Sequence, residues 1–254
     1  MEYGISKLAI IPIRAEGSDK SEMVSQLLFG ETYELLERQD KWVKIVTAHD
    51  AYEGWISSNQ VSLLNYEDYL SLQQTDTILT TQPVTIAYKQ SDNSLLYLPA
   101  GSNLPFYENG SSWINNDVFG INDPGEREAD LIATAKTYLN TPYLWAGRTH
   151  FGIDCSGFVQ AVYKQHGIQL RRDASQQVEQ GTAVDFLPSA QAGDLAFFDN
   201  DEGRIVHVGI MLNSEQIIHS SGRVKIEAID GQGIYSEEFK KHTHKLRIIK
   251  RILS

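Results

Sequence analysis

The sequence feature that most constrains the fold is a change in the spacing of apolar residues at Asn122-Asp-Pro-Gly. Before this point, short apolar runs alternate with turn residues at close intervals, which is typical of small all-β barrels or sandwiches. After it, residues 127–139 and 158–163 carry apolar side chains at helical spacing, and Gly167 is placed to end the second helix. Strand-like runs then follow at residues 194–198, 204–212, 216–219 and 245–251. Helices followed by strands predict an α+β domain.

The all-β region divides into two weakly similar sets of predicted strands. Residues 1–66 form the first set and residues 75–122 the second, and each set has a late strand centred on a tryptophan, Trp42 or Trp113. We predict two small barrels, the second more divergent, followed by an α+β domain over residues 123–254. The chain is therefore predicted to have three domains.

Composition excludes several classes of function. The 254 residues are 41% hydrophobic and 22% charged, as in a globular protein. A formal net charge of −11 argues against binding to nucleic acid or to an anionic membrane surface. No run approaches the roughly 18 apolar residues of a membrane span. No leader is visible at Met1, so we expect a cytoplasmic protein, or a periplasmic or extracellular one if a leader was removed.

Cys155 is the only cysteine of the chain, so it cannot form an internal disulfide. It lies just before the second predicted helix, in Asp154-Cys-Ser-Gly. The N–H groups at a helix N-terminus stabilise a thiolate, which is the reactive form of cysteine. A polar, glycine-containing turn is a poor place for an inert buried cysteine. Cys155 is therefore the candidate nucleophile.

His207 and His219 lie in two successive predicted strands that a turn at residues 213–216 would pair. Strand alternation lets both imidazoles face one side. His207 then suits a general base and His219 the group that orients it. A two-histidine metal site competes with this interpretation, but the predicted hairpin offers no carboxylate beside the histidines. An ion-pair nucleophile further predicts a rate that changes with pH between about 5 and 9.

Six segments occur in the order found in a known family. They are Thr141-Pro-Tyr-Leu-Trp-Ala-Gly, Gly152-Ile-Asp-Cys-Ser-Gly-Phe-Val, Arg172-Asp-Ala-Ser-Gln-Gln, Ala192-Gly-Asp-Leu-Ala-Phe-Phe, His207-Val-Gly-Ile and Ile218-His-Ser-Ser. Through them, residues 125–254 resemble the papain-like NlpC-type cell-wall cysteine peptidases. Residues 28–36, 41–45 and 52–56 resemble bacterial SH3-like domains. With both regions considered together, the chain most resembles the γ-D-glutamyl-L-diamino acid endopeptidases of murein peptide recycling.

This resemblance implies a reaction and its residues. Cys155 is expected to attack the γ-carbonyl of D-glutamate, which is joined there to diaminopimelate or lysine in a peptidoglycan-derived peptide. His207 is expected to act as base and His219 to orient it. The oxyanion is expected to meet the Cys155 backbone N–H and the hydroxyl of Tyr143.

The resemblance also implies substrate-binding positions. Asp154, Ser156 and Ser175 match positions that contact the peptide, and Glu16 and Tyr52 match positions that bind the free amine of an N-terminal L-alanine. No cofactor or metal is implied. Three other interpretations stay open: a catalytically silent wall-binding SH3-like protein, an N-acetylmuramoyl-L-alanine amidase, and a transferase of the same chemistry.

Overall fold

The computed structural model of the chain describes residues 1–75, 77–126, 128 and 130–252. The chain divides into two compact units, residues 1–127 and 128–254. Each unit has its own hydrophobic cores. Within the described residues, no helix has the length and apolar character needed to cross a membrane.

The first unit consists almost wholly of short antiparallel strands. Its elements are β1 (Glu2–Ile5), β2 (Ile10–Arg14), β3 (Met23–Leu28), β4 (Thr32–Arg38), β5 (Trp42–Thr47), β6 (Glu53–Ser57), β7 (Leu63–Leu64), α1 (Tyr66–Gln74), β8 (Ile78–Leu79), β9 (Val84–Lys89), β10 (Leu95–Pro99), β11 (Asn103–Leu104), β12 (Ser111–Ile114) and β13 (Asp117–Ile121). Strands β1–β7 form a seven-stranded sheet of order β3-β2-β6-β5-β4-β1-β7. A four-stranded sheet, β10-β9-β13-β12, and the pair β11-β8 follow.

Strand alternation places the cores of this unit. In β5, Val43, Ile45 and Thr47 are buried while the residues between them are partly exposed. The first core lies within the seven-stranded sheet and contains Ile11, Ile13, Leu27, Tyr33, Leu35, Val43, Ile45 and Ile56. The second core joins Ile5, Phe29 and Leu64 to residues between 87 and 121. The two sets of strands therefore share a core.

The segment at the predicted split between the two sets is a helix, α1. The side chain of Asn65 caps it by accepting a hydrogen bond from the Asp68 N–H at 2.8 Å. Glu67 and Asp68 lie in its first turn, where the helix dipole favours acidic side chains. Tyr69 and Leu72 pack against the second core. The helix thus covers that core rather than linking two separate bodies.

The described part of the second unit combines three α-helices and a short 3-10 helix (Leu187–Ser189) with a large antiparallel sheet. Its elements are α2 (Leu131–Thr137), β14 (Arg148–Thr149), β15 (Gly152–Ile153), α3 (Cys155–Gln165), α4 (Ala174–Gln177), β16 (Thr182–Val184), β17 (Leu195–Asp199), β18 (Ile205–Met211), β19 (Gln216–Ser221), β20 (Arg223–Asp230), β21 (Gly233–Ser236) and β22 (Lys241–Arg251). The sheet order is β16-β22-β17-β18-β19-β20-β21, and β21 also pairs with β22. Strands β17–β22 therefore close into a ring of hydrogen-bonded neighbours.

The predicted order of helices and strands is present in this unit, although the first helix is shorter than predicted. Asp130 caps α2 by accepting from the N–H groups of Ile132 and Ala133, so the helix begins at Leu131. Residues 127 and 129 of the predicted helix lie outside the described residues. Helix α3 is confirmed, and Gly167 follows its end at a φ of +73°. Strands β20 and β21 were not predicted.

Candidate active site

Cys155 is the first residue of α3. The preceding residue, Asp154, caps the helix, because its Oδ1 accepts the Gly157 N–H at 2.6 Å. A Cβ on Gly157 would overlap the backbone oxygen of Gly147. Glycine at this position therefore lets the start of the helix pack closely against the loop before β14, which places the thiol in a confined position.

Burial raises the pKa of the Cys155 thiol to about 11, and the neighbouring Asp154 carboxylate adds to the rise. The backbone N–H groups of Val208 and Ser156 lower the pKa, as does the guanidinium of Arg172, but they do not outweigh burial. The expectation of a thiolate stabilised at rest is therefore not met. The helix N-terminus acts in the expected direction, but the sequence alone gave no measure of how deeply the thiol is buried.

His207 on β18 and His219 on β19 face the same side of the sheet. Gly209 pairs with His219, and His207 lies two residues before Gly209, so the two imidazoles are diagonal neighbours. The Nε2 of His207 and the Nδ1 of His219 are 2.9 Å apart. A Cβ on Gly209 would approach the Cβ of His219 to 2.8 Å, so glycine keeps this space open. Both histidines are buried.

Glu227 on β20 determines which nitrogen of His219 carries a proton. Its Oε2 lies 2.9 Å from the Nε2 of His219 and 3.2 Å from the Nζ of Lys225. Burial raises the pKa of Glu227, but hydrogen bonds, the largest from His219, lower it overall to about 2. An ionised carboxylate only accepts hydrogen bonds, so the Nε2 of His219 must be protonated. Burial lowers the pKa of His219, so the ring is neutral and its Nδ1 is an acceptor.

The protonation of His207 follows from this arrangement. Because the Nδ1 of His219 is an acceptor, His207 must donate from its Nε2, which leaves its Nδ1 unprotonated. Burial, together with His219 and His244, lowers the pKa of His207 well below 6.5. His207 is therefore a neutral base with a lone pair on Nδ1. The thiol of Cys155 interacts with the backbone N–H of Val208, the residue after His207.

His244 on β22 completes this cluster. Its ring stacks on that of His207, with centroids 4.1 Å apart and an interplanar angle of 27°. The Oγ1 of Thr243 lies 2.9 Å from the Nδ1 of His244. Two residues earlier on the same strand, the Nε2 of His242 lies 2.9 Å from the Oδ2 of Asp230. Closure of the sheet brings His244 against His207.

A buried ion pair lies beside Cys155. Arg172 is 1% exposed, and its Nη2 lies 2.5 Å from the Oδ2 of Asp154. Its Nη1 donates to the Oδ1 of Asp154 at 3.1 Å and to the Oγ of Ser156 at 3.0 Å. Asp154 and Ser156, both predicted to contact the peptide, are thus held by Arg172 on either side of Cys155.

Tyr143 lies close to the nucleophile. Its backbone N–H donates to the carbonyl of Gly222 at 3.0 Å, and the residue pairs with Ile153 in a parallel bridge. Burial raises the pKa of Tyr143 to about 12, with a further rise from Cys155 and Asp154. The hydroxyl is therefore protonated at neutral pH and able to donate a hydrogen bond near Cys155.

The other predicted substrate-binding residues lie at exposed or partly exposed positions. Ser175 is exposed on α4, which Gln177 ties to the start of α3 through the carbonyl of Ser156. Glu16 is exposed after β2, and Tyr52 is partly exposed before β6. Arg14 pairs with Trp55 between these strands, so Glu16 and Tyr52 lie at the same end of the strand pair.

Three residues that contact the predicted site residues were not identified from the sequence: Glu227, His244 and Arg172. Glu227 could have been found by extending the predicted hairpin, since β20 pairs with β19 and carries it diagonal to His219. Arg172 belongs to a segment already noted, but its charge gave no sign of burial. His244 had no local signal, because its contact with His207 depends on the pairing of β22 with β17 and β21.

Comparison with known proteins identifies both parts of the chain. Residues 140–246 match the NlpC/P60 family, and residues 13–61 match the bacterial dipeptidyl-peptidase Sh3 domain. The chain is 30% identical over 231 residues to the gamma-D-glutamyl-L-lysine dipeptidyl-peptidase of Bacillus cereus, covering 80% of this chain and 68% of that protein. It is 29% identical over 218 residues to the Bacillus subtilis protein of the same name, covering 77% of this chain and 71% of that protein.

A solved structure supports the fold. The crystal structure of an NlpC/P60 family protein from Bacillus cereus has a TM-score of 0.82 to this chain at 22% identity. The match covers 99% of this chain and 100% of the other. The two proteins therefore share a fold along their length.

Proposed function

The chain belongs to the NlpC/P60 family of cysteine peptidases, and from that premise we propose that it hydrolyses the γ-D-glutamyl-L-diamino acid bond of peptidoglycan-derived peptides with a free N-terminal L-alanine. The family, the SH3 domain and the enzyme class predicted from the sequence are confirmed. The observation that carries the proposed substrate is the relationship, over most of the chain, to a gamma-D-glutamyl-L-lysine dipeptidyl-peptidase. Either lysine or diaminopimelate serves as the diamino acid in this proposal.

We also propose the finer architecture. A nucleophile at the start of a helix, with its base on an adjacent antiparallel sheet, supports a papain-like domain over residues 123–254. The strands of residues 1–66 and 75–122 support two SH3-like barrels, the second divergent. Their shared core implies that the two barrels fold together.

Acylation begins with proton transfer. The Cys155 thiol gives its proton to the Nδ1 of His207 as Sγ attacks the γ-carbonyl carbon of D-glutamate. The electron pair of the carbonyl moves to its oxygen. When the tetrahedral intermediate collapses, the carbon–nitrogen bond breaks and the departing amine takes the proton from His207. The product is a thioester on Cys155.

Deacylation repeats these roles with water. The Nδ1 of His207 accepts a proton from water, whose oxygen attacks the thioester carbonyl. Collapse then breaks the carbon–sulfur bond, and His207 returns the proton to Sγ. The dipeptide leaves with a free γ-carboxylate on its D-glutamate. In both steps the hydrogen bonds from His207 to His219 and from His219 to Glu227 keep Nδ1 as the accepting nitrogen.

The oxyanion is stabilised by hydrogen-bond donors at the start of α3. We assign this role to the Cys155 backbone N–H and the hydroxyl of Tyr143. The hydroxyl stays protonated because its pKa is raised to about 12. One such donor typically lowers the barrier by about 3 kcal/mol.

We assign recognition of the dipeptide to the five residues that the sequence resemblance implies. In the second unit, Asp154 and Ser156 flank the nucleophile, and Ser175 is exposed on α4. In the first unit, Glu16 and Tyr52 share one end of the β2–β6 pair and offer a carboxylate and a hydroxyl to the alanine amine. An enzyme that requires this amine cuts only peptides already released from the glycan.

The test is mass spectrometry of L-Ala-γ-D-Glu-L-Lys and of the diaminopimelate tripeptide, each incubated with wild type and with Cys155→Ala. Release of L-Ala-γ-D-Glu by the wild type alone is the expected result. A Tyr163→Phe variant, which removes a hydroxyl that donates to the carbonyl of Gly193, serves as a control for general effects of substitution. If both tripeptides survive the wild type, the proposed bond is wrong.

A further inference from the structure

His207, His219 and His244 form a compact group of nitrogen donors, called here the histidine cluster. One ring nitrogen from each lies within 4.8 Å of the other two. His207 and His219 are buried, and His244 is partly exposed. The cluster unites three strands, β18, β19 and β22, so it exists only because the sheet closes. The proposed peptidase mechanism gives His244 no role.

The donor set suits zinc. Zn²⁺ binds imidazole nitrogens at about 2.0–2.1 Å in tetrahedral sites, which places neighbouring ligand atoms about 3.4 Å apart. His207 and His219 are already closer than this, at 2.9 Å. The third nitrogen, that of His244, must therefore move to complete the site. His244 is the least buried of the three rings, and it must tilt out of its stack on His207. A surface pocket lined by Gly231, Gln232 and residues 242–246 lies beside it and provides an entry path.

The surroundings of the cluster resemble those of protein zinc sites. Histidine ligands commonly bond through their second nitrogen to a carboxylate or another acceptor, which fixes the ring and raises its basicity. Glu227 accepts from the Nε2 of His219 and leaves Nδ1 for the metal. The Oγ1 of Thr243 contacts the Nδ1 of His244 and leaves Nε2. The carboxylate that seemed missing from the predicted hairpin is thus supplied by the next strand.

We propose that the histidine cluster binds one Zn²⁺ through the Nε2 of His207, the Nδ1 of His219 and the Nε2 of His244, and that the bound ion inhibits the enzyme. The ion takes the place of the hydrogen bond between His207 and His219. A neutral imidazole that binds metal through Nε2 carries its proton on Nδ1. The proton of His207 therefore moves from Nε2 to Nδ1, and the nitrogen that should accept the thiol proton is no longer free.

Binding can be measured without the reaction. The assay is competition for Zn²⁺ between the full-length protein and a chromophoric chelator, in a Cys155→Ala background that removes the thiol as a ligand. The background protein is expected to bind one Zn²⁺. Loss of a partner that orients a ligand lowers metal affinity about 10- to 100-fold. The Zn²⁺ affinity of Glu227→Gln should fall by a factor in this range. His244→Ala, which removes a ligand, should weaken binding at least as much. His242→Ala, two residues away on β22, should leave the affinity unchanged.

Each outcome bears on the proposal. If Cys155→Ala abolishes binding, the thiol holds the ion and the proposal is wrong. If His242→Ala weakens binding as much as His244→Ala, the ion lies on the surface of β22 and the proposal is also wrong. Circular dichroism checks that each variant is folded, and His244→Asn provides a second variant that keeps a polar side chain but lacks the imidazole.

The proposal that bound Zn²⁺ inhibits the enzyme rests on the proposed function, so it needs a separate experiment. Zn²⁺ should stop tripeptide hydrolysis by wild type and by His242→Ala, and a chelator should restore it. Full activity at a Zn²⁺ concentration that saturates the site overturns inhibition. Absence of hydrolysis in metal-free buffer would refute the proposed function but would leave the binding result standing.

Discussion

The chain of hydrogen bonds from Glu227 through His219 to His207 predicts a specific defect in Glu227→Gln. The carboxylate accepts a hydrogen bond from the Nε2 of His219 at 2.9 Å. Glutamine can still accept through its amide oxygen, but without a charge. Hydrogen bonds to charged groups contribute about 1.5–3 kcal/mol and neutral ones about 0.5–1.5 kcal/mol. The variant should therefore lose about 1–1.5 kcal/mol of the preference for the productive tautomer.

This loss converts into a rate. Each 1.36 kcal/mol corresponds to about tenfold, so kcat for tripeptide hydrolysis should fall about 5- to 13-fold. KM should stay nearly constant, because Glu227 orients His219 and does not contact the substrate in the proposed mechanism. The measurement is steady-state kinetics by chromatographic quantification of the released dipeptide.

A matched control separates this effect from a change in net charge. Glu237→Gln removes a carboxylate that pairs with Lys240 at the surface, where the side chain is 75% exposed. It should leave kcat and KM unchanged. A folded Glu227→Gln enzyme with kcat within about twofold of wild type would refute the assignment of the tautomer from the hydrogen bonds.

Three further variants test other parts of the site. Tyr143→Phe should lower kcat about 100- to 1000-fold if its hydroxyl stabilises the oxyanion, and an unchanged kcat would remove it from that role. Arg172→Ala should lower the free energy of unfolding by about 3–5 kcal/mol in urea titrations, because it leaves the buried carboxylate of Asp154 unpaired; Asp154→Asn in the same chain should recover part of the loss. Glu16→Gln should lower kcat/KM about tenfold for peptides with a free L-alanine amine. It should have little further effect on N-acetylated peptides, which lack the amine and are poor substrates of the wild type; equal effects on both would exclude recognition of the amine.

Local patterns were sufficient for the parts of the fold that depend on neighbouring residues. Helix α3, the glycine that follows it and strands β17, β18, β19 and β22 were predictable, because apolar spacing and turn residues are local signals. The helix α1 was not, since only Tyr69 and Leu72 of its residues pack against the second core. Its amphipathic pattern is correspondingly weak. The shared core of the first unit was also not predictable, because it joins residues that are distant in the sequence.

The site shows the same division between local and non-local features. The Cys155 turn and the hairpin of His207 and His219 could be located from motifs and alternation. The contact of His244 with His207 could not, because it depends on which strands pair at the closure of the sheet. Burial was a second unpredictable feature. It makes Arg172 a structural partner of Asp154 rather than a solvent-exposed charge, and it reverses the expected shift in the pKa of Cys155.

That reversal changes the expected pH dependence of the enzyme. Burial raises the pKa of the thiol to about 11 and lowers the pKa of His207 well below 6.5. In the proposed mechanism the active resting form therefore has a neutral thiol and a neutral imidazole, and the proton moves between them only during attack. Activity is lost as the pH falls through the lowered pKa of His207 and, at the other extreme, as the thiol ionises near 11. Between these limits the protonation state of the pair does not change.

The expected result is a kcat that is constant between about pH 6.5 and 9, in contrast to the change with pH that an ion-pair nucleophile would give. The measurement is the rate of tripeptide hydrolysis at saturating substrate concentration, in buffers of constant ionic strength, because kcat does not report the titration of the amine of the free substrate. An acid limb with an apparent pKa at or above 6.5 would show that His207 is more easily protonated than its burial implies. A rate that rises throughout this range would contradict the neutral resting pair, because a thiol that ionises within the range would produce such a rise.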